Sequence, residues 1–186
     1  MIYQKGEILV RRLSENDKHL LIKWLSDPMV LQFYEGRDRP HDLEMVDKHF
    51  YDRKSQDVIG CIIEHRGIPI GYVQYYPLDA ETKIKYGYAV GPEIIYGTDQ
   101  FIGEVNYWNK GLGKLIVSSM IDYLTNQKKA IRVVMDPQTW NKRAIACYEK
   151  CDLKKVKLLP KHELHEGEYR DAWLMEYTHP KEKDTL

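Results

Sequence analysis

Short apolar runs alternate with amphipathic stretches along the whole chain. Glu7 to Leu13 alternates weakly between apolar and polar positions and predicts an opening strand. Ser14 then offers an N-cap hydroxyl, with Asp17 three residues on, and Leu20, Leu21, Trp24 and Leu25 follow at helical spacing. Asp27-Pro28 predicts a second short helical turn, Tyr34 to Pro40 a polar loop, and Leu43, Val46, Phe50 and Tyr51 a further helix. Asp57 to Glu64 and Ile68 to Tyr76 are β-rich runs on either side of His65-Arg66-Gly67, the pattern of a hairpin. Ile94 to Ile102 reads as the next strand. Gly111 to Asn126 puts Leu112, Leu115, Ile116, Ser119, Met120 and Tyr123 on one helical face. Ala130 to Met135 reads as a buried strand and Asn141 to Lys150 as a helix. Leu153 to Leu159 and Ala172 to Tyr177 read as late strands, and the segment between them as an acidic loop.

The order β-α-α-β-β-β-α-β-α-β-β predicts a mixed α/β sheet with its strand–helix crossovers in the second half. A length of 186 residues suits a single domain, placed here at residues 1–180, with a charged tail at 181–186. Lys+Arg and Asp+Glu both number 28, so the basic excess of a nucleic-acid binder is lacking. No apolar run approaches the roughly 20 residues needed to span a bilayer, and Met1 to Leu13 lacks the apolar block of a signal peptide. The cysteines, Cys61, Cys147 and Cys151, are odd in number and without CxxC spacing, which points to the reducing cytoplasm.

Chemistry concentrates around Asn109-Lys110-Gly111-Leu112-Gly113-Lys114, where a loop opens the long helix. Such a turn gathers backbone N–H groups at the positive end of a helix, and Gly111 and Gly113 let an anion approach the main chain. It is neither a Walker A loop nor a dinucleotide fingerprint, because the GxxxxGK[ST] order and the third glycine are missing. Downstream, Asp136-Pro137 ends a strand, and Asn141, Arg143, Ala144, Tyr148 and Lys150 fall on the next helix.

Together, these two blocks resemble the GNAT acetyltransferase superfamily. Further stretches narrow the likeness: Phe33 to Asp38, Tyr96 to Glu104, Asn106-Tyr107-Trp108, Leu159 to Gly167 and Leu174 to Tyr177 resemble the aminoglycoside 6′-N-acetyltransferases, including the acetyltransferase halves of bifunctional acetyltransferase–phosphotransferase resistance enzymes. Two departures are plain. Trp108 stands where the superfamily carries Gln or Arg, and Asp152-Leu153 stands where it carries Gly-Phe, which changes the cap of the last helix.

The resemblance implies a central mixed, mostly antiparallel twisted sheet flanked by helices, and acetyl-CoA as the acetyl donor. It implies cofactor contacts from Phe101, Ile102, Gly103, Trp108, Asn109, Lys110, Gly111, Leu112, Gly113, Lys114, Asn141, Ala144 and Tyr148. A metal has no part in it: His162-Glu163-Leu164-His165 lacks HExxH spacing. Amide formation from a thioester requires a deprotonated amine, a donor for the developing oxyanion and a proton for the thiolate. Asp99 is the candidate for the first task, with Tyr96 nearby; a backbone N–H around Phe101 to Gly103 for the second; Tyr148 for the third. A polycationic acceptor calls for carboxylates. Asp99, Asp136 and Asp171 are the candidates, with Glu35 and Asp38 from the early loop; Glu163, Glu166 and Glu168 are candidates too, though a solvated hairpin explains these glutamates better, and Trp24 and Tyr34 serve as aromatic walls. The expected partner is a small cationic amine, an aminoglycoside first and a polyamine or other amine second, acted on by a monomer or homodimer.

Overall fold

The computed structural model describes residues 1–53 and 57–180; the tail expected at 181–186 lies outside the described residues. Eight strands form one sheet: β1 (Tyr3–Lys5), β2 (Ile8–Arg12), β3 (Ile59–His65), β4 (Ile68–Pro77), β5 (Ile95–Ile102), β6 (Arg132–Met135), β7 (Lys154–His165) and β8 (Glu168–Thr178). Their spatial order is β1-β2-β3-β4-β5-β6-β8-β7. Every neighbouring pair is antiparallel except β5 and β6, which run parallel. The helices are α1 (Lys18–Trp24), α2 (Pro28–Leu31), α3 (Leu43–Val46), α4 (Ala80–Tyr86), α5 (Leu112–Gln127) and α6 (Lys142–Glu149).

Alternation in the central strands feeds two cores. Cys61, Ile63 and Val73 pack with Ile116, Val117, Met120, Ile121 and Leu124 of α5. Ile62, Tyr72 and Phe101 point the other way, into a cluster with Leu21, Trp24, Leu25, Val30, Leu31 and Phe50. Successive side chains of a strand face opposite sides, so a sheet covered on both faces needs apolar residues at odd and even positions alike, as β3 and β4 have. Among the described residues no helix is long and apolar enough to cross a membrane.

Four elements differ from the sequence reading. α4 is absent from it, although Asp79 caps the helix by accepting from Thr82 N and Gly87 closes it at φ 88°. β1 is a short edge strand of mixed polarity. The acidic segment 160–171, expected as a loop, is mostly strand. β7 continues through Pro160 with a register shift between Leu159 and Glu163, and turns at Glu166-Gly167 into β8. An edge strand tolerates a proline because its outward N–H has no partner to lose. The helix expected over Leu43 to Tyr51 divides into α3 and a wider turn at Asp47–Tyr51.

Candidate functional site

The site begins with a break in strand pairing. β5 and β6 are in register only at Ile95↔Arg132, Tyr96↔Val133 and Gly97↔Val134. Beyond Gly97, β5 keeps its partner β4 while β6 follows β8, and the two diverge. Leu78 N donates to Ile95 O, and Gly103 N to Ile70 O, so the odd residues of β5 bond β4. Ile131 N donates to Ile94 O on the other side. The main-chain groups of Gln100 and Ile102 therefore face the gap. Within the stretch Phe101 to Gly103 expected to supply the oxyanion donor, Ile102 faces the gap, whereas Phe101 and Gly103 belong to the β4 ladder. A cleft of about 890 Å³ fills the divergence, within the usual size for a ligand site.

At one end lies the glycine turn. Asn109 (φ 59°) and Gly111 (φ 77°) both adopt left-handed conformations, and α5 starts at Leu112 without a side-chain cap. Its first N–H groups are thus free to meet an anion. Lys114 lines the cleft here, as does Arg143. The Arg143 guanidinium lies over the rings of Trp108 (4.3 Å) and Phe33 (4.4 Å) and has no carboxylate partner among the described residues. Asn141 caps α6, its Oδ1 accepting from Ala144 N at 3.2 Å.

At the other end carboxylates gather. Gln74 Nε2 donates to Asp99 Oδ2 at 2.8 Å. Withdrawal from water and the neighbouring charge of Asp136 push the Asp99 carboxyl up to about 7, against the pull of hydrogen bonds from Gln74 and Tyr76. Asp136 Oδ2 accepts from Tyr86 Oη (2.9 Å) and is bonded to His162 Nε2 (2.6 Å). Glu163 accepts from Gln138 Nε2 at 2.9 Å, and burial raises its pKa above the usual carboxylate range. Between the two ends, Gln100 Nε2 donates to Tyr148 Oη at 2.8 Å. Burial raises the Tyr148 phenol, which keeps its proton at neutral pH.

An anion-holding turn and a carboxylate of near-neutral pKa thus share one cleft in a parallel splay. The sequence matches the Acetyltransferase (GNAT) domain over residues 14–160. The chain belongs to the GNAT acetyltransferase family. Aminoglycoside N(6′)-acetyltransferase type 1 of Klebsiella pneumoniae is 27% identical over 150 residues, which cover 80% of this chain and 74% of that one. Among solved structures, AAC(6′)-Ib in complex with ribostamycin and coenzyme A superposes with a TM-score of 0.71 at 24% identity, covering 93% of this chain and 94% of that one. Spermidine N-acetyltransferase from Vibrio cholerae, in complex with CoA and spermine, gives the same TM-score of 0.71 at 14% identity, covering 92% and 95%. Both structural likenesses speak to the fold, which does not separate the two acceptors.

Within the GNAT cleft the structure gathers Asp99, Tyr148, Asp136, Glu35 and Tyr34. It also brings in Phe101, Ile102, Trp108, Asn109, Gly111, Gly113, Lys114, Asn141 and Ala144. Other expected residues lie elsewhere. Tyr96 packs against Tyr75 beside the α5 core, because even positions of β5 point away from Asp99. Trp24 is fully buried and donates to Glu104. Gly103 makes room for that indole, since a Cβ there would lie 2.2 Å from it. Lys110 lies over Tyr107, and with Leu112 it borders a second pocket. Asp171 accepts from Lys161 N, and Asp38 is exposed beside Gly36. Gln74, Tyr76 and Tyr86 are site residues that the sequence does not single out, and Glu163, a candidate set aside as solvated, joins them. The first three act through β4 and the unpredicted α4. The inward position of Glu163 follows from β7 continuing past Pro160. The structure also groups Glu35, His41 and His49, residues no sequence motif connects.

Proposed function

We propose that this GNAT acetyltransferase moves an acetyl group from acetyl-CoA to a primary amine on a polycationic acceptor, the 6′-amine of an aminoglycoside being the acceptor that fits best. The observation that carries this reading is Asp99, a carboxyl of pKa about 7 facing Asp136 and Glu163 across a cleft whose far end offers uncapped helix amides. Several carboxylates suit several ammonium groups on one acceptor. Asp99 is placed to accept the proton of the reacting ammonium, directly or through one water.

Residues 111–114, with Arg143, would hold the diphosphate of the acetyl donor, which supplies the activated acyl group. The N–H groups of Gln100 and Ile102 face the gap where the thioester carbonyl would lie, and a fixed donor of this kind contributes about 3 kcal/mol in other enzymes. Because Gln100 donates to Tyr148 Oη, the hydroxyl's own proton is directed away from Gln100 and is available to the departing thiolate. The relative from Klebsiella pneumoniae supports the choice of acceptor at the level of sequence.

A screen that follows free thiol release from acetyl-CoA tests the proposal. Turnover is expected with kanamycin or tobramycin. Fast turnover of spermidine with none of any aminoglycoside would replace the acceptor. Tight coenzyme A binding without thiol release from any amine would make the chain a sensor.

A further inference from the structure

We infer that Glu35, His41 and His49 form a binding site for a divalent transition metal, zinc being the best fit, at the acceptor end of the cleft. The ligand atoms of the three side chains lie within 4.8 Å of one another. His41 is buried, 2% exposed, and its Nδ1 lies 2.8 Å from the carbonyl oxygen of Arg39. A carbonyl carries no proton, so Nδ1 is the donor, and in the neutral ring Nε2 accepts a hydrogen bond from His49 Nδ1, whose proton moves to His49 Nε2 when a metal takes its place. His41 Nε2 lies 3.1 Å from His49 Nδ1. Two nitrogens bound to zinc at about 2.0 Å with tetrahedral angles stand roughly 3.3 Å apart. The imidazoles therefore hold the spacing of one edge of a zinc tetrahedron before any metal arrives.

The donor set points the same way. Two imidazoles and one carboxylate make the three-ligand arrangement in which zinc keeps one position open. The Nδ1–H bond from His41 to Arg39 O is the outer contact that orients a ligating imidazole. Glu35 pairs with Arg39, whose Nη1 is 3.7 Å from Glu35 Oε2 on an exposed side chain, and a dication would displace it at little cost; Arg53 Nε is engaged with the His49 carbonyl oxygen at 2.6 Å. The residues come from two segments, the loop before α3 and the turn after it, which explains why the sequence shows no motif.

Glu35 also lines the acceptor cleft. Metal bound there would put positive charge where a cationic acceptor must dock and would hold one of the carboxylates meant for it. Occupancy is thus expected to weaken acceptor binding and leave the donor site unaffected. This consequence rests on the acceptor reading above; the metal site itself does not.

Zinc chloride titrated calorimetrically into the tag-free full chain should reveal one site, weakened at least tenfold in His49→Gln, with circular dichroism confirming that the variant is folded. Cobalt(II) should give the visible bands of a four-coordinate nitrogen–oxygen site without a thiolate charge-transfer band. Zinc should raise the acceptor KM of the wild type, leave the acetyl-CoA KM unchanged, and spare His49→Gln. No binding heat, unchanged affinity in His49→Gln, or a thiolate band placing the metal at Cys147 and Cys151 would overturn the site. An acceptor KM unmoved by bound zinc would overturn its position at the acceptor mouth. If no acceptor turns over at all, calorimetry and the cobalt spectrum still decide the site.

Discussion

Asp99 shows how a residue's chemistry is set by neighbours that its local sequence does not reveal. Its position after Gly97 and Thr98 marks it as a candidate, but a carboxyl in water titrates near 4 and is a poor base. The cleft pushes it up to about 7, chiefly by withdrawing it from water beside Asp136. In the unfolded chain its value returns to about 3.8. The protonated form is thus favoured in the fold, and the wild type loses stability relative to a neutral side chain as pH rises from about 4 through about 7. Asp99→Asn should therefore raise the thermal midpoint at pH 8 by more than at pH 4, and differential scanning at both values checks this. The same variant should lower kcat at least about tenfold with acetyl-CoA affinity unchanged, and remove the titration near pH 7 from the rate profile. Tyr148→Phe should lower kcat by roughly 10- to 100-fold with both KM values held, as loss of a proton donor does; stopped-flow thiol release reads it. Asp136 was legible at a strand end, and Asp99 and Tyr148 through the family resemblance. Gln74 and Tyr76, which tune that cluster, were not, because only sheet register brings them to Asp99, and the same pairing turns Glu163 inward from a segment that reads as solvated.

Elements place these residues, and glycines decide where two of them come close. A Cβ at Gly97 would meet the Tyr76 ring at 2.5 Å, and that ring is packed beside Asp99. Gly97→Ala should cost about 1–3 kcal/mol in urea unfolding and impair turnover, since Tyr76 must move. Gly111 is a contrasting case. Its Cβ would meet nothing within 4 Å, but its φ is 77°. Gly111→Ala should cost about 1 kcal/mol of backbone strain and weaken coenzyme A binding, with the acidic end of the cleft intact. Asp152 takes a left-handed φ of 64° after α6 where relatives' glycine is expected, so the departure seen in the sequence changes the residue and keeps the turn. Long amphipathic α5 and the β3–β4 hairpin were legible from periodicity. α4 was not, since seven residues beside Pro77 and Gly87 give too few turns for a pattern. Its loss from the reading hid Tyr86 as well.

Across the whole molecule, the loop that carries Glu35 and Arg37 is tied to the far edge of the sheet. Arg37 Nε and Nη2 donate to Glu166 at 2.6 and 2.8 Å, and Arg37 N donates to the same carboxylate at 3.0 Å. These bonds hold Glu166 down to about 2, so the clasp is fully present above about 4.5 and is lost as pH falls through about 2. Exposed pairs contribute little to global stability. Arg37→Ala should accordingly leave the thermal midpoint nearly unchanged, while amides of residues 32–41 exchange faster and the acceptor KM rises several-fold. Hydrogen-exchange mass spectrometry and steady-state kinetics check the two halves of that expectation. The fold as a mixed sheet was legible from the order of elements, whereas the pairing of residues 129 positions apart was not. With only three register pairs joining β5 to β6, the sheet is riveted at one end and open at the other. A long ligand lodged in that fork would act as a splint, joining β5 to the end of β6 at Met135 where the two strands share no main-chain bonds.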